Sequence, residues 1–189
     1  RLNELEKGYF RKDWLIFSGM PNKIKMIFHP ETQKHLMYLK QELDWKNDEI
    51  DAFLTMVLMG ALHGQSPGFL SLSMPNTFSM GWNYIKNYIA KNNIKRPNRN
   101  AFTIIRHRCK RFLKKGKLPG RGLAIHGDVR DLGESKQILN NSVKMIFSSP
   151  PYLKVIKYGL YNWIRLWWLI GEHKSVSYTH LTLPTKRIV

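Results

Sequence analysis

The chain has 189 residues, of which 43% are hydrophobic and 12% aromatic. That composition is typical of a globular protein with a packed core and argues against a disordered chain. Lysine and arginine number 31 against 13 acidic residues, so the formal net charge is +18. We therefore expect a polyanionic partner, either nucleic acid or an anionic membrane surface.

Nucleic acid is the better of these two candidates. No apolar run approaches the roughly 20 residues needed to cross a bilayer, and no signal peptide opens the chain. Cys109 is the single cysteine, which excludes an internal disulfide and a cysteine metal cluster. A reducing, cytoplasmic location fits that cysteine usage, and we expect no metal site and no membrane partner.

The first 120 residues divide into two predicted segments. Residues 1–29 mix aromatic and basic side chains without a clear period, and we predict a connecting segment, although residues 2–6 read like a helix. Residues 30–120 carry apolar residues at helical spacing, which predicts a basic helical segment. Its four helices are expected to begin near the turn or capping residues Pro30, Asn47, Ser79 and Asn100. The third should run through Asn93 with Tyr88 facing inward, and the fourth should carry Phe102, Ile105 and Phe112 on one buried stripe.

Beyond Gly120 the pattern changes to short apolar runs. Leu123 to Ile125 and Val143 to Phe147 are each followed by loop residues, which is typical of buried parallel strands. Residues 131–139 allow a short helical crossover, and residues 161–170 read as a further helix, whose Trp163, Trp167 and Trp168 are expected in the core. The sequence therefore predicts an α/β fold, in which a helical block precedes a βαβα piece of a sheet.

A cationic block lies within the predicted helical segment. Residues 52–127 contain no Asp or Glu but 13 lysines and arginines. Such a surface cannot neutralise itself with neighbouring pairs, so phosphates would relieve its repulsion, although acidic residues elsewhere in the chain are an alternative. The predicted nucleic-acid-binding residues are Lys95, Arg96, Arg99, Arg106, Arg108, Lys110, Arg111, Lys114 and Lys115.

The motif that carries chemistry is Ser149-Pro150-Pro151-Tyr152, which follows the second predicted strand. The Ser149 hydroxyl and the Pro150 carbonyl could accept hydrogen bonds from an exocyclic amine and direct its lone pair toward a methyl donor. The two prolines fix the backbone, and Tyr152 offers a flat face to an extruded base. A proline-stiffened turn without catalytic function is the structural alternative.

This region resembles the DNA amino-methyltransferases, the cytosine-N4 and adenine-N6 group, whose motif is (Ser/Asn/Asp)-Pro-Pro-aromatic. The similarity extends upstream through Ile125-His126-Gly127-Asp128 and 140–147, and downstream through Tyr158, Asn162-Trp163 and 165–167, while 73–80 is reminiscent of one subgroup. It implies that residues 121–174 are part of a Rossmann-like S-adenosylmethionine-dependent methyltransferase domain. Serine in the first position favours cytosine N4 over adenine N6.

The resemblance also implies a cofactor and partners. S-adenosylmethionine would be the methyl donor, DNA the substrate, and a cognate restriction endonuclease a candidate partner. Asp128 would accept from the cofactor's adenine amine, or it would act instead as a helix N-cap. The family's glycine-rich cofactor motif is not found in the sequence, so we expect a fragment that is inactive by itself.

Two alternatives to a DNA methyltransferase remain open. One is an RNA or protein amine methyltransferase, because similar motifs serve those substrates. The other is a non-catalytic basic module that binds nucleic acid. Residues 175–189 resemble translated sequencing-adapter read-through, and we predict a non-native tail there, although a genuine strand is the alternative.

Overall fold

The structure is a computed structural model that describes residues 1–12, 19–73, 82–114 and 158–171. Between these last two ranges it describes residues 116, 122, 125, 128–134, 136–139 and 141–148. The chain divides into two compact units. One comprises residues 1–114 with 157–189, and the other comprises residues 115–156.

The regular secondary structure described in the first unit is α-helical. The helices are α1 (Leu2–Arg11), α2 (Asn22–Lys25), α3 (Pro30–Glu42), α4 (Glu49–Ala61), α5 (Trp82–Lys91), α6 (Ala101–Leu113) and α7 (Tyr158–Ile170). Helix α6 packs against α1, α3 and α4, and α1 also packs against α3. Residues 30–114 contain α3 to α6 in their described part, and residues 1–29, predicted as a connecting segment, contain α1 and α2.

Helix starts follow the capping signals closely. Pro30 is the first residue of α3, as predicted, and the ring of His29 accepts from the Glu31 amide at 3.2 Å. The side chain of Asn100 accepts from the Thr103 amide at 3.0 Å and caps α6, which confirms the predicted start. These caps satisfy amides that have no partner within the helix.

The predicted cap of α4 was wrong by one residue. Asp48 occupies the cap, and its carboxylate accepts from the Asp51 amide at 2.7 Å. Asn47 lies in the preceding turn, where its side-chain amide donates to the Asp44 carboxylate at 3.0 Å. A carboxylate is also favoured over an amide near the positive end of the helix dipole.

Helix α5 ends at Lys91, two residues before the predicted end at Asn93. The Ile94 amide donates to the Ile89 carbonyl, and the Asn93 amide donates to the Ala90 carbonyl, which together close a Schellman motif. Asn93 has the left-handed φ of 47° that this motif requires. Asparagine tolerates that conformation better than most residues do, so it can stand where glycine is usual.

The core of the first unit has an aromatic centre. The Tyr9 ring of α1 lies 4.6 Å from the His35 ring and 5.6 Å from the Phe102 ring, and His35 meets Phe102 edge-on at 5.3 Å. Tyr38 packs against both Tyr9 and Phe102. This cluster joins α1, α3 and α6, and its tilted and edge-to-face geometries are those that aromatic rings prefer.

Helix α7 adds tryptophans to the same core. Trp163, Trp167 and Trp168 are buried, which confirms that they are core residues, as expected from the sequence. The Trp168 indole donates to the Leu36 carbonyl at 3.3 Å, and the Lys40 ammonium donates to the Trp167 and Trp168 carbonyls. The Trp167 carbonyl also accepts from the Gly171 amide at 2.9 Å, and Lys40 supplies the Trp168 carbonyl with a donor from α3.

The predicted α/β fold is wrong for the described residues, because they contain no strand. The predicted strand Val143 to Phe147 lies in the second unit without regular structure, and Met145, Ile146 and Phe147 are 84%, 79% and 92% exposed. Ile125 of the other predicted strand is 44% exposed. A buried strand needs neighbours that pair with its backbone and cover its side chains, and the described residues supply none. A 3₁₀ helix, Val129–Glu134, overlaps the predicted crossover.

No helix in the described ranges combines the length and apolar character that a membrane span requires.

Candidate nucleic-acid interface

The predicted catalytic residues Ser149, Pro150, Pro151 and Tyr152 lie outside the described residues, as does Lys115. Asp128 is described: it is exposed and directly precedes the 3₁₀ helix, where its carbonyl accepts from the Asp131 amide at 3.1 Å. That place is compatible with the capping alternative. Asp128 is the residue that the resemblance implies for cofactor binding, and it lies at an exposed position of the second unit.

The remaining eight predicted nucleic-acid-binding residues separate into two groups. Four arginines donate hydrogen bonds to groups of the protein itself. Four other cations are exposed and make no hydrogen bond or ion pair with any residue of the described ranges. The first group is Arg96, Arg99, Arg106 and Arg108, and the second is Lys95, Lys110, Arg111 and Lys114.

Arg99 and Arg108 hold the loop that follows α4. The guanidinium of Arg99 donates to the carbonyls of Ser66 and Ser71, each at 3.2 Å, and also to the Phe69 carbonyl. Arg108 donates to the Gly68 carbonyl at 2.9 Å, and its guanidinium lies over the Phe69 ring at 4.6 Å. Burial lowers the pKa of both arginines. Both side chains therefore stabilise the fold of this loop.

Arg96 and Arg106 join segments that are distant in sequence. Arg96 donates to the Lys25 carbonyl at 2.7 Å, at the end of α2. Arg106 forms an ion pair with Glu6 of α1 at 2.5 Å and also donates to the Asn3 side chain. An acidic residue outside 52–127 thus neutralises one cation of the block, which is the alternative that the sequence left open.

The exposed group has its densest part at the end of α6. Lys110 and Lys114 are four residues apart and so share one side of the helix, and Arg111 lies between them in sequence with its guanidinium over the Phe112 ring at 5.8 Å. Phe112 and Leu113 are 52% and 61% exposed. Phe112 was predicted to lie on the buried stripe with Phe102 and Ile105, which are buried. The last turn of α6 therefore presents cations and apolar groups together.

One physical effect favours cations at this helix end, and another opposes them. The negative end of the helix dipole stabilises Lys110 and Arg111 in the last turn of α6. The lack of any acidic residue between 52 and 127 leaves their mutual repulsion uncompensated along the chain. The dipole explains why cations are tolerated there, whereas their number and exposure favour a polyanion as partner.

A second exposed surface lies on α5, and the sequence did not predict it. The Tyr84 and Tyr88 rings are stacked, with centroids 6.0 Å apart and planes inclined by 14°. Tyr84 is 46% exposed, whereas Tyr88 was expected to face inward and is half-buried. The sequence feature that could have predicted this pair is the spacing of the two tyrosines by four residues, because side chains at that spacing are neighbours on a helix.

His63 and Ser71 form a buried polar pair. The His63 Nδ1 and Ser71 Oγ atoms lie 2.5 Å apart, and the Ser71 Oγ lies 3.0 Å from the Leu72 carbonyl. The His63 tautomer decides which atom of the pair donates. In either tautomer the bond ties the end of α4 to the loop that follows it.

Comparison of the chain with known proteins finds no matching family model, no curated protein with significant similarity and no solved structure with significant similarity.

Proposed function

We propose that this chain is part of a DNA amine methyltransferase. In that enzyme Ser149-Pro150-Pro151-Tyr152 receives the base, and the exposed cations of the helical unit contact the DNA backbone. The motif and its flanking residues, such as Ile125 to Asp128, are the single observation that carries the catalytic part of the proposal. Cytosine N4 is the favoured target and adenine N6 the second. The helical fold of the described residues supports the DNA contact and not the catalytic part.

The chemistry expected of the motif follows from the nature of a base amine. The nitrogen lone pair is delocalised into the ring, so the amine is a poor nucleophile. Acceptors at the Ser149 hydroxyl and the Pro150 carbonyl would hold its two hydrogens and favour a pyramidal nitrogen. Tyr152 would stack on the extruded base, and the whole motif acts by positioning the amine.

The described residues do not assemble a site for S-adenosylmethionine. Asp128 is exposed in the second unit, and no glycine-rich turn accompanies it in the sequence. S-adenosylmethionine is therefore proposed as the methyl donor from the resemblance alone. We expect transfer to require a gene product in which a glycine-rich cofactor motif accompanies these residues.

Methyl transfer is tested with that gene product, radiolabelled S-adenosylmethionine and duplex DNA, followed by digestion to nucleosides. We expect label in N4-methylcytosine, and a loss of at least about a hundredfold in Ser149→Ala, because removing one preorganised hydrogen-bonding group at a reacting centre costs about that much. Label in RNA or protein in place of DNA would contradict the choice of substrate. Absence of transfer to all three would contradict the enzymatic proposal.

Contact with the DNA backbone is tested separately with the 189-residue chain. Lys110→Ala/Lys114→Ala should weaken duplex binding and lower the slope of log K against log salt by up to about 1.8, since each phosphate contact contributes about 0.9. Lys25→Ala/Lys46→Ala removes the same charge from two other exposed lysines and serves as the matched control. Equal slopes in the two variants would contradict an interface at the end of α6.

A non-catalytic nucleic-acid-binding module is the second candidate, and the exposed cations of α6 favour it. The two experiments separate the candidates. DNA binding that depends on Lys110 and Lys114, without methyl transfer by the complete gene product, would favour the binding module.

A further inference from the structure

We propose that the stacked pair Tyr84 and Tyr88 on α5 is a platform for an unpaired base of single-stranded nucleic acid, with neighbouring lysines contacting its phosphates. Its residues are other than those of the methyl-transfer motif and of the end of α6. The inference does not depend on methyl transfer and requires only a polyanionic partner.

The platform is rigid because its inner ring is anchored. Tyr88 packs partly against the core, and Ile85 between the two tyrosines is buried, with 1% of its surface exposed. The Schellman motif at residues 89–94 fixes the end of the same helix. Tyr84 stacks on Tyr88 and remains 46% exposed, so it offers an aromatic surface held in place from behind. A preorganised ring loses little conformational freedom when a base stacks on it.

The charge around the rings fits a nucleic acid strand. Tyr84, Tyr88 and Lys91 follow at spacings of four and three residues, so they share one face of α5. Lys91 and Lys95 are both exposed, and no acidic residue occurs between 52 and 127. Proteins that bind single-stranded nucleic acid combine cations, which contact the phosphates, with exposed aromatic rings, on which the bases stack.

A single strand fits this surface better than a duplex does. Within a duplex each base is covered above and below by its neighbours, so a ring on a convex helix surface cannot reach a base face. An unpaired base has a free face, and stacking on an aromatic side chain tolerates any base. The predicted ligand is therefore single-stranded and not defined by sequence.

The test measures binding of two labelled oligomers of about ten nucleotides to the 189-residue chain by fluorescence anisotropy. One is oligothymidylate, and the other has the same phosphates but abasic sugars. Thymine has no exocyclic amine for the Ser149 hydroxyl and the Pro150 carbonyl to hold, and the Tyr84 substitutions below separate stacking on α5 from stacking on Tyr152. We expect the thymidylate oligomer to bind at least about fivefold more tightly than the abasic oligomer, the lower limit for stacking one base. Equal affinities would overturn the inference.

Two substitutions of Tyr84 supply the matched comparison. Tyr84→Phe keeps the aromatic ring and should retain thymidylate binding. Tyr84→Leu keeps apolar bulk and helix propensity but removes the ring, and should weaken thymidylate binding at least about fivefold while leaving abasic binding unchanged. Wild-type affinity of Tyr84→Leu for thymidylate would overturn the inference. It would favour a protein as the partner of this face. Thermal unfolding of both variants shows whether the fold is retained.

The lysines are tested by salt dependence. Lys91→Ala should lower the salt slope for both oligomers by about 0.7, the value for one phosphate of a single strand, whereas Lys46→Ala should not. An unchanged slope in Lys91→Ala would overturn the placement of the strand along α5. Methylation of duplex DNA without thymidylate binding would contradict this inference alone. Thymidylate binding without methylation would contradict the methyltransferase proposal alone.

Discussion

Two buried threonines show how one hydroxyl can either support or weaken a helical core. The Thr32 hydroxyl donates to the Arg99 carbonyl at 2.7 Å and accepts from the Arg99 amide at 3.2 Å. The Thr55 hydroxyl in α4 is equally buried but has no hydrogen-bond partner within the described part of the chain. A buried polar group without a partner loses the solvation that it had in the unfolded chain.

We predict opposite effects for the same substitution at these two positions. Thr55→Val should raise the free energy of unfolding by about 1 kcal/mol, because it removes an unsatisfied hydroxyl with little change of shape. Thr32→Val should lower it by about 1–3 kcal/mol, because it leaves two backbone groups of Arg99 without their partner. Urea denaturation of both variants measures the difference. Destabilisation by Thr55→Val would show that its hydroxyl is satisfied.

His35 is expected to make the stability of the helical unit depend on pH. Burial in the aromatic cluster lowers its pKa below the usual value, although Glu31 and Glu6 act in the opposite direction. The unfolded chain therefore binds a proton at a higher pH than the folded chain does. Stability contributed by neutral His35 is present above about pH 6.5 and is lost as the pH falls below that value.

Comparing the wild type with His35→Leu isolates this dependence. Leucine cannot take up a proton, and every other titratable group is present in both proteins. From pH 8 to pH 5 the wild type should lose more free energy of unfolding than the variant, with an extra slope of at most about 1.4 kcal/mol per pH unit. Parallel profiles in urea denaturation would contradict the assigned pKa shift.

At the scale of elements, the starts of α3 and α6 follow local chemistry and the loop after α4 does not. Pro30 and Asn100 lie where their sequence signals predicted, because each acts on amides within one turn. The loop is held by Arg99 and Arg108 from about 30 to 40 residues away. Both arginines were predicted as phosphate contacts, and a sequence pattern cannot show that carbonyls of the same chain surround them.

We predict that Arg99→Lys destabilises the first unit by about 1–3 kcal/mol. A lysine ammonium cannot reproduce the planar fork that reaches the carbonyls of Ser66, Phe69 and Ser71 together. Arg111→Lys is the matched control, because Arg111 is exposed at the end of α6. Thermal unfolding measures both, and equal melting temperatures would contradict a structural role for the Arg99 guanidinium.

At the scale of the whole molecule, the first unit is completed by a helix from far along the chain. Residues 158–170 form α7, and Trp168 is 1% exposed. Its indole N–H donates a hydrogen bond to the Leu36 carbonyl. The entropic cost of closing such a long loop rises only with the logarithm of its length, so tryptophan burial can outweigh it. The tryptophans of α7 thus belong to the core that α1 and α3 form.

Truncation of this anchor should be costly. Trp168→Ala is expected to lower the free energy of unfolding by about 3–5 kcal/mol, the range for removing a buried aromatic side chain. Ile170→Ala in the same helix is the control, because Ile170 is 56% exposed and should change stability little. Similar effects of the two substitutions in urea denaturation would contradict the docking of α7 through Trp168.

The sequence by itself determined the helices within residues 30–114, the starts of α3 and α6 and the basic character of the chain. Amphipathic spacing, caps and net charge are properties of neighbouring residues, so they can be read without knowing the fold. Tertiary structure decided which cations are exposed, because the carbonyls and Glu6 that bind the other arginines come from distant segments. It also decided against the predicted strands: an apolar run such as Val143 to Phe147 becomes a strand only when other segments pair with its backbone and cover its side chains.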